Sequence, residues 1–431
     1  MSTAVAQMKQ YFETVTDGVE SDAKNDAKND GVYKLLSLDE ITEIAKRVLN
    51  GDSDRIEYVI QPYTKTKLGY LGSHYRVNVT ATRKKGTREL SFFLKTVPYE
   101  VPDQADYVIQ KGIFEKEAMF YNVITPLLLE GYSGELWAPV CYKATNNLMV
   151  FEELRGKGYS TRDKLFDKTL VRAGLSAIAR LHAASLMAET RLGMPLNRLY
   201  PDAFVERAFQ HDGMTRVWMQ AGVDVAAAIA EHLGLDSDLV RSTCELVYHA
   251  TTPSRTKANV VSHGDLWGNN LMFNKDVSPK CLMVDYQLLR YSPLAHDVAQ
   301  FLYLCTDRSF RETWESAMLQ HYYKTLRETL NAHEICVRTP PWSEIVLGME
   351  EQRLGALITA IIYFPTVLMD ENLSATVIND PASYADYYFR DRREFVMTNM
   401  KKDPVYGRRL SEAVIELVEL ASRLDQLPTP S

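Results

Sequence analysis

The spacing of hydrophobic positions changes along the chain, and the changes divide it. Ser37 and Glu40 have the spacing of a capping box, and Ile41, Ile44, Ala45 and Val48 then share one helical face. From Arg55 to Thr96 the period falls to two. Ile56, Tyr58 and Ile60 alternate with polar residues, then Tyr75, Val77 and Val79, then Leu90, Phe92 and Leu94, as in half-buried strands. A helix is predicted over about Gly112–Thr125. Two more strands are predicted at Leu136–Tyr142 and Leu148–Phe151, joined through Thr145-Asn146-Asn147. Beyond them helical spacing prevails: Val171, Leu175, Ile178 and Leu181 repeat on one face, and 203–250 and 310–425 continue the pattern. A short apolar pair around 259–287 interrupts it and reads as a β-loop-β element.

This order predicts an α+β chain of two lobes. Residues 35–152 would form a β-rich N-lobe, and 153–431 a mostly helical C-lobe, with a connector near Phe151–Gly156. Residues 1–34 are expected to be disordered, because the doublet Ala23-Lys24-Asn25-Asp26 / Ala27-Lys28-Asn29-Asp30 has nothing to bury. The Leu354–Met369 run is apolar but holds Pro365 and falls short of the roughly 20 residues a spanning helix needs. It reads as a buried core helix, with a ligand-pocket wall as a compatible second role. No membrane span is expected.

Charge and cysteines narrow the field. A net charge of −7 argues against a general nucleic-acid binder, which would present a basic face. Cys141, Cys244, Cys281, Cys305 and Cys336 form no CxxC pair, which points to reduced thiols. Met1–Glu20 lacks the apolar core of a signal peptide. Together these give the expectation of a cytoplasmic protein. H-E-x-x-H, G-x-S-x-G and the Walker lysine loop are absent, so zinc, serine-hydrolase and P-loop chemistry have no foothold.

The chemistry-bearing stretch is His263-Gly264-Asp265-Leu266-Trp267-Gly268-Asn269-Asn270, followed by Val284-Asp285-Tyr286. Phosphoryl transfer to an alcohol needs a carboxylate beside the attacking oxygen, and Asp265 suits that role. Mg²⁺ prefers a few hard protein oxygens plus phosphate and water, which Asn270 and Asp285 would supply. His263 would brace the loop, and Asp297 would tether it as a buried carboxylate. The bland alternative is a turn with helix-capping aspartates.

Other residues fit around this core. Lys95 ends an apolar strand, where a lysine needs a partner. Glu117 is chosen over Glu115 because it precedes the stronger apolar face, and the pair would hold the phosphates of ATP. Gly69, Gly72 and Ser73 form either a phosphate-contacting loop or a plain turn. The carbonyl of Glu152 and the N–H of Leu154 are candidates for contact with adenine, unless the segment is only a connector. Trp267 and Gln287 flank the site and would meet the acceptor or simply pack. His182 reads as a hydrogen-bonded core histidine.

The His263–Asn270 stretch resembles the HGDxxxxN motif of the aminoglycoside phosphotransferase and choline kinase superfamily. Leu266–Asn270, with Val284-Asp285-Tyr286-Gln287-Leu288-Leu289-Arg290-Tyr291-Ser292-Pro293 running to His296-Asp297, narrows the resemblance to the ecdysteroid-kinase-like proteins of arthropods. The Phe114–Tyr121 and Ile178–Leu186 helices are similar too, and the likeness covers about 35–425. It implies a protein-kinase-like fold and ATP- and Mg²⁺-dependent phosphorylation of a hydroxyl on a small molecule, ecdysteroids being the substrates that name the family. It also implies Asp265 as base, Asn270 and Asp285 as metal ligands, and Lys95 with Glu117 as the pair that positions ATP.

Departures from relatives shape the expectation. Gly264 stands where protein kinases carry Arg, and Asp285 is followed by Tyr286-Gln287 rather than Phe-Gly, with no A-P-E after it. These speak against protein substrates. Gln287 in place of an acidic residue speaks against choline. The expected function is therefore a small-molecule kinase acting on a lipophilic, steroid-like alcohol. The alternatives are a catalytically silent ligand-binding protein of the same fold, and a choline- or aminoglycoside-type phosphotransferase. The sequence leaves the oligomeric state open.

Overall fold

A computed structural model describes residues 35–51, 53–64, 71–84, 86–378 and 380–431. The expectation for residues 1–34, and the Gly69 position of the glycine loop, lie outside the described residues. The architecture is α+β, with a β-rich first part and a helical remainder.

Strands β1 (Arg55–Pro62), β2 (Ser73–Arg83), β3 (Gly86–Thr96), β4 (Cys141–Ala144) and β5 (Leu148–Glu152) form an antiparallel sheet in the order β1-β2-β3-β5-β4. The period-two alternation sorts its side chains onto two faces. Val77, Val79, Phe92, Leu94, Leu148 and Val150 pack under the Leu38–Leu49 helix, against its Ile41, Ile44 and Ala45. Ser37 and Glu40 close that helix with the expected capping box. Phe93, Met149 and Phe151 point the other way and join the larger core. Lys95 shares the parity of Phe93, so its ammonium is delivered to that second face.

Three sequence expectations change. The segment expected as a strand over Leu136–Tyr142 meets the sheet only from Val140, whose carbonyl accepts Glu152 N at 3.0 Å, and is a strand from Cys141. Pro139 has no N–H to give a ladder, the β4–β5 register slips between Cys141 and Lys143, and the Trp137 carbonyl instead accepts Met283 N at 2.7 Å. The helix expected over Gly112–Thr125 is three pieces: Ile113–Met119, a π-helical turn at Phe120–Ile124, and Thr125–Leu129. Such turns swing side chains away from the regular helical face and are frequent at functional sites. The pair around 259–287 is not one β-loop-β. It is two separate ladders, β6 (Asn259–Ser262) with β9 (Arg290–Pro293), and β7 (Leu271–Phe273) with β8 (Cys281–Met283).

The helical part is built on Lys168–Leu192. Asp167 caps it at the Leu170 N–H, and Gly193 ends it in the left-handed conformation. It packs against Arg308–Asn331, while Leu294–Cys305 lies between it and Trp342–Val367. The Trp342–Val367 helix contains most of the Leu354–Met369 run and is buried from Gly355 to Val367. Among the described residues no single helix is long and apolar enough to cross a membrane. All five cysteines are free thiols.

Candidate active site

The 263–270 loop leaves the end of β6 and is gripped from behind. Asp297, fully buried on the Leu294–Cys305 helix, accepts the backbone N–H of His263 at 2.7 Å and of Gly264 at 3.0 Å. One turn further on, Gln300 accepts Leu266 N at 2.8 Å and donates to the Gly264 carbonyl at 3.0 Å. Arg290 donates to the same carbonyl at 2.8 Å while Glu206 holds the rest of its guanidinium. His263 accepts the Asp265 N–H at Nδ1 (3.2 Å) and reaches the Val284 carbonyl with Nε2 (2.9 Å), so the two halves of the motif are laced together. Burial keeps the His263 ring below its ordinary pKa, hence neutral, which that hydrogen-bond pattern requires. Gly264 takes φ +76°, and a side chain there would run into the Leu288 carbonyl.

The turn through Gly268–Asn270 folds Asn270 back onto Asp265. Asn270 Nδ2 donates to the Asp265 carbonyl at 2.8 Å and to its Oδ2 at 3.0 Å. Both amide hydrogens are thereby spent, and Asn270 Oδ1 receives no hydrogen bond from the described residues. Burial pushes the Asp265 carboxyl up to about 7, and the nearby Asp285 charge adds to the push. A Gln287 hydrogen bond and the charges of Arg290 and Lys111 pull it partly back. A carboxylate so placed is matched to proton transfer near neutral pH.

Asp285 follows β8 and adopts φ 71°, one of two non-glycine residues among those described with a left-handed backbone. That strained geometry turns its carboxylate toward Lys95. Lys95 Nζ lies 2.6 Å from Glu117 Oε2 and 2.5 Å from Asp285 Oδ1. Burial opposes its charge, but the two carboxylates outweigh burial and raise its pKa. Glu117 also accepts Tyr286 N at 3.2 Å, and the Tyr286 ring stacks on Phe120 at 3.8 Å and leans on His263 at 4.4 Å. The π-helical turn is what places Phe120 in that stack. Glu115, the other candidate partner, is exposed.

All of this borders one cavity of about 310 Å³. Asp265, Asn270, Asp285, Lys95, Glu117, Trp267 and Gln287 line it together, as do Glu152 and Leu154. The Leu154 N–H has no acceptor among the described residues, while its carbonyl takes Lys157 N and Tyr159 N, both at 3.0 Å. Phe93 and Phe151 of the sheet and Met272 and Val284 of the second part add apolar surface beside that N–H. Gly72 and Ser73 stand back from the cavity. Gly72 packs on the stem of Lys95, and the Ser73 hydroxyl is bonded to Glu100. Leu71 and His74 are the residues of that segment that line the cavity. His182 is a buried core histidine, bonded to Tyr322 OH at 2.7 Å and Asp297 at 3.3 Å.

Several residues at the site escaped the sequence reading. Gln300 had a signal, since it lies three residues after Asp297 and therefore on the same helical face. Arg290 was part of the specific block but carried no assigned task. Tyr107, Lys111, Trp218, Tyr363 and Tyr388 line the far end of the cavity and come from four separate helical segments. No local pattern links them.

The model of the ecdysteroid kinase-like family matches residues 68–334. No curated protein matches the sequence. Among solved structures, an ethanolamine kinase from Plasmodium vivax is 13% identical with a TM-score of 0.45, covering 93% of this chain and 95% of that one. A choline kinase from Cryptosporidium parvum is 13% identical with a TM-score of 0.40, covering 86% and 93%. An aminoglycoside phosphotransferase from Streptomyces rimosus is 15% identical with a TM-score of 0.31, covering 76% and 99%.

Proposed function

The chain belongs to the ecdysteroid kinase-like family, and from that membership and the site's geometry we propose that it transfers the γ-phosphoryl group of ATP to a hydroxyl of a lipophilic small molecule, a steroid-like alcohol such as an ecdysteroid. In this reading residues 35–152 form the nucleotide-binding lobe, and 153–431 carry the catalytic loop, the metal ligands and the acceptor pocket. The observation that carries it is the meeting of Lys95, Glu117 and Asp285 within 2.6 Å on one wall of a cavity whose floor holds the hydrogen-bonded pair Asp265 and Asn270.

The residues fit MgATP. Asn270 Oδ1 and the second oxygen of Asp285 are hard donors facing the cavity. Among the described residues no cluster of three or more His, Cys, Asp or Glu is arranged to hold a metal. Two oxygens are what Mg²⁺ needs when phosphates and water fill its remaining positions. Lys95, held in place by Glu117, would meet the phosphates. Leu154 N–H and the Glu152 carbonyl would meet the adenine, between Phe93, Phe151, Met272 and Val284. Bound MgATP would supply the phosphoryl group and neutralise the charge that develops on it. Asp265 orients the acceptor hydroxyl and accepts its proton late in the transfer. Gln287 is buried, lines the cavity near Asp265 and leaves its Oε1 without a partner among the described residues, so it would help orient that same hydroxyl once the acceptor is seated.

The acceptor end supports an apolar substrate rather than a polycation. Trp218, Tyr363, Val367 and Tyr388 dominate it, and its one further carboxylate, Glu371, is exposed at the rim. The test is direct. Incubating the full chain with labelled ATP and Mg²⁺ and a panel of ecdysteroids, other steroids with and without an acidic group, hydroxy fatty acids, phenols and choline should put label on a hydroxylated lipophilic compound. Label on choline alone, or on no compound in the panel, would reject this reading.

A further inference from the structure

Four helical segments close the acceptor end of the cavity with aromatic rings, and one cation stands among them. Lys111 follows the Pro102–Gln110 helix, is more than nine-tenths buried, and lines the cavity. Its Nζ donates to Tyr107 OH at 2.8 Å and lies 5.0 Å from the Tyr107 ring centroid and 5.6 Å from that of Trp218. Among the described residues it has no carboxylate partner.

Such a placement is costly unless something completes it. An ammonium has three donors, and one neutral hydroxyl satisfies one of them. Burying a charge costs more than two cation–π contacts return. Two other lysines with buried side chains are held by carboxylates instead. Lys95 holds two carboxylates, and Lys257 pairs with Glu351 at 2.6 Å. Lys116 also lacks a carboxylate partner, bonds the Val205 carbonyl and lies away from the cavity. Burial pushes its pKa down to about 7, with Glu206 opposing and Arg290, Arg207 and Lys111 adding to the drop. Glu206, the nearest carboxylate to Lys116, is committed to Arg290.

From these observations, and resting on the phosphoryl-transfer reading above, we infer that the acceptor carries an anionic group in addition to its hydroxyl, and that Lys111 is the specificity residue that binds it. The substrate class is an amphipathic hydroxy acid, a carboxylate or sulfate on an apolar body. The anion takes the free N–H groups of Lys111, the apolar body lies against Trp218, Tyr363 and Tyr388, and the hydroxyl reaches Asp265. The span is short. Lys111 and Asp265 line the same cavity of about 310 Å³. One molecule of modest size bridges the two.

The test compares matched acids and neutral analogues on the full chain. ω-Hydroxydodecanoate, 4-(hydroxymethyl)benzoate and cholate are each titrated calorimetrically beside their uncharged primary amides. At least one acid should bind at least about tenfold more tightly than its amide, the scale of a charge-assisted contact. Lys111→Met should bring the two affinities together, and Lys111→Arg should keep them apart. Equal binding of acid and amide by the unaltered protein, failure of all three acids to bind, or a preference surviving Lys111→Met would each overturn the inference. The same samples with labelled MgATP separate it from the reading beneath it. Acid-selective binding without phosphate incorporation removes the kinase assignment and leaves Lys111 as an anion reader. Phosphate incorporation that ignores the acid removes Lys111 from its role and leaves the kinase.

Discussion

Asp297 accepts the backbone N–H of His263 at 2.7 Å across 34 residues of chain, and this bond anchors the loop that carries Asp265. Its other oxygen takes Gly264 N at 3.0 Å, and His182 adds a third contact at 3.3 Å. Each partner donates, so the site calls for acceptors on both oxygens. Asp297→Asn forces an NH₂ group against one of those donors whichever way the amide is turned. The expected cost is about 2–4 kcal/mol, from the lost charge-assisted bonds and the donor left unsatisfied. Chemical denaturation measures it, and turnover should fall further than substrate affinity because the displaced group positions the base.

The same carboxylate gives a signed pH dependence. Burial opposes its charge, but the His182 hydrogen bond and the electrostatic pull of the His182, His296 and His263 rings win, holding Asp297 at about 2, below its ordinary 3.8. A depressed folded pKa stabilises the fold above the unfolded value and loses that contribution as pH falls through the folded one. The unaltered protein should therefore hold an advantage of about 2 kcal/mol above pH about 4 and lose it by pH about 2. Urea unfolding of wild type and Asp297→Asn across this range should show the gap between them narrowing. A gap that widens toward acid would contradict the role given to Asp297.

Glu117 and Glu115 offer a paired contrast on one helix. Glu117 is buried and bonded to Lys95 and to Tyr286 N, whereas Glu115 is exposed. Glu117→Gln weakens the grip on Lys95 and frees the ammonium to sit wholly on Asp285. The KM for ATP should rise at least about tenfold, the scale of one buried charge-assisted bond, with Glu115→Gln within about twofold of wild type. Steady-state kinetics against ATP distinguishes them.

Asp265→Asn isolates the base. The amide keeps an oxygen for Asn270 Nδ2, so the loop geometry should survive. Turnover should drop by roughly 10²–10⁴-fold, the range of a general base. Stability should not fall, because the change removes a buried negative charge that stands near Asp285. Phosphate incorporation and a thermal melt on the same preparation check both halves. Full activity would withdraw the role from Asp265.

How far the sequence carries depends on whether the signal is local. Strand alternation around Lys95 is local, and it fixes which face the ammonium reaches. The capping box at Ser37 and Glu40 is local as well. Pairing is not: β6 and β8 are both short apolar runs, and their partners depend on the turns at Gly264 and Asp285, which no periodicity reports. Leu136–Pro139 has strand-like composition, yet the missing N–H of Pro139 and the bond from Met283 N to the Trp137 carbonyl draw it out of the sheet. The acceptor end is the least legible, since Tyr107, Trp218, Tyr363 and Tyr388 are brought together by packing among helices distant in the chain.

Gly264 and Gly193 both have left-handed backbones, at φ +76° and +66°, and differ in what surrounds them. A Cβ on Gly193 meets nothing within 4 Å, whereas one on Gly264 drives into the Leu288 carbonyl and crowds Arg290 Nη1. Gly193→Ala therefore carries only the conformational penalty, about 1–2 kcal/mol, with activity retained. Gly264→Ala adds the clash with backbone that cannot yield without moving the loop, for a total of about 3 kcal/mol or more. Leu288 follows Gln287 and the Asp285 turn, so the displacement would reach both halves of the site. Turnover of Gly264→Ala should fall beyond what its stability loss explains, measured at a temperature where the variant is still folded. Equal behaviour of the two alanine variants would mean that the close approach at Gly264 does not hold the catalytic loop.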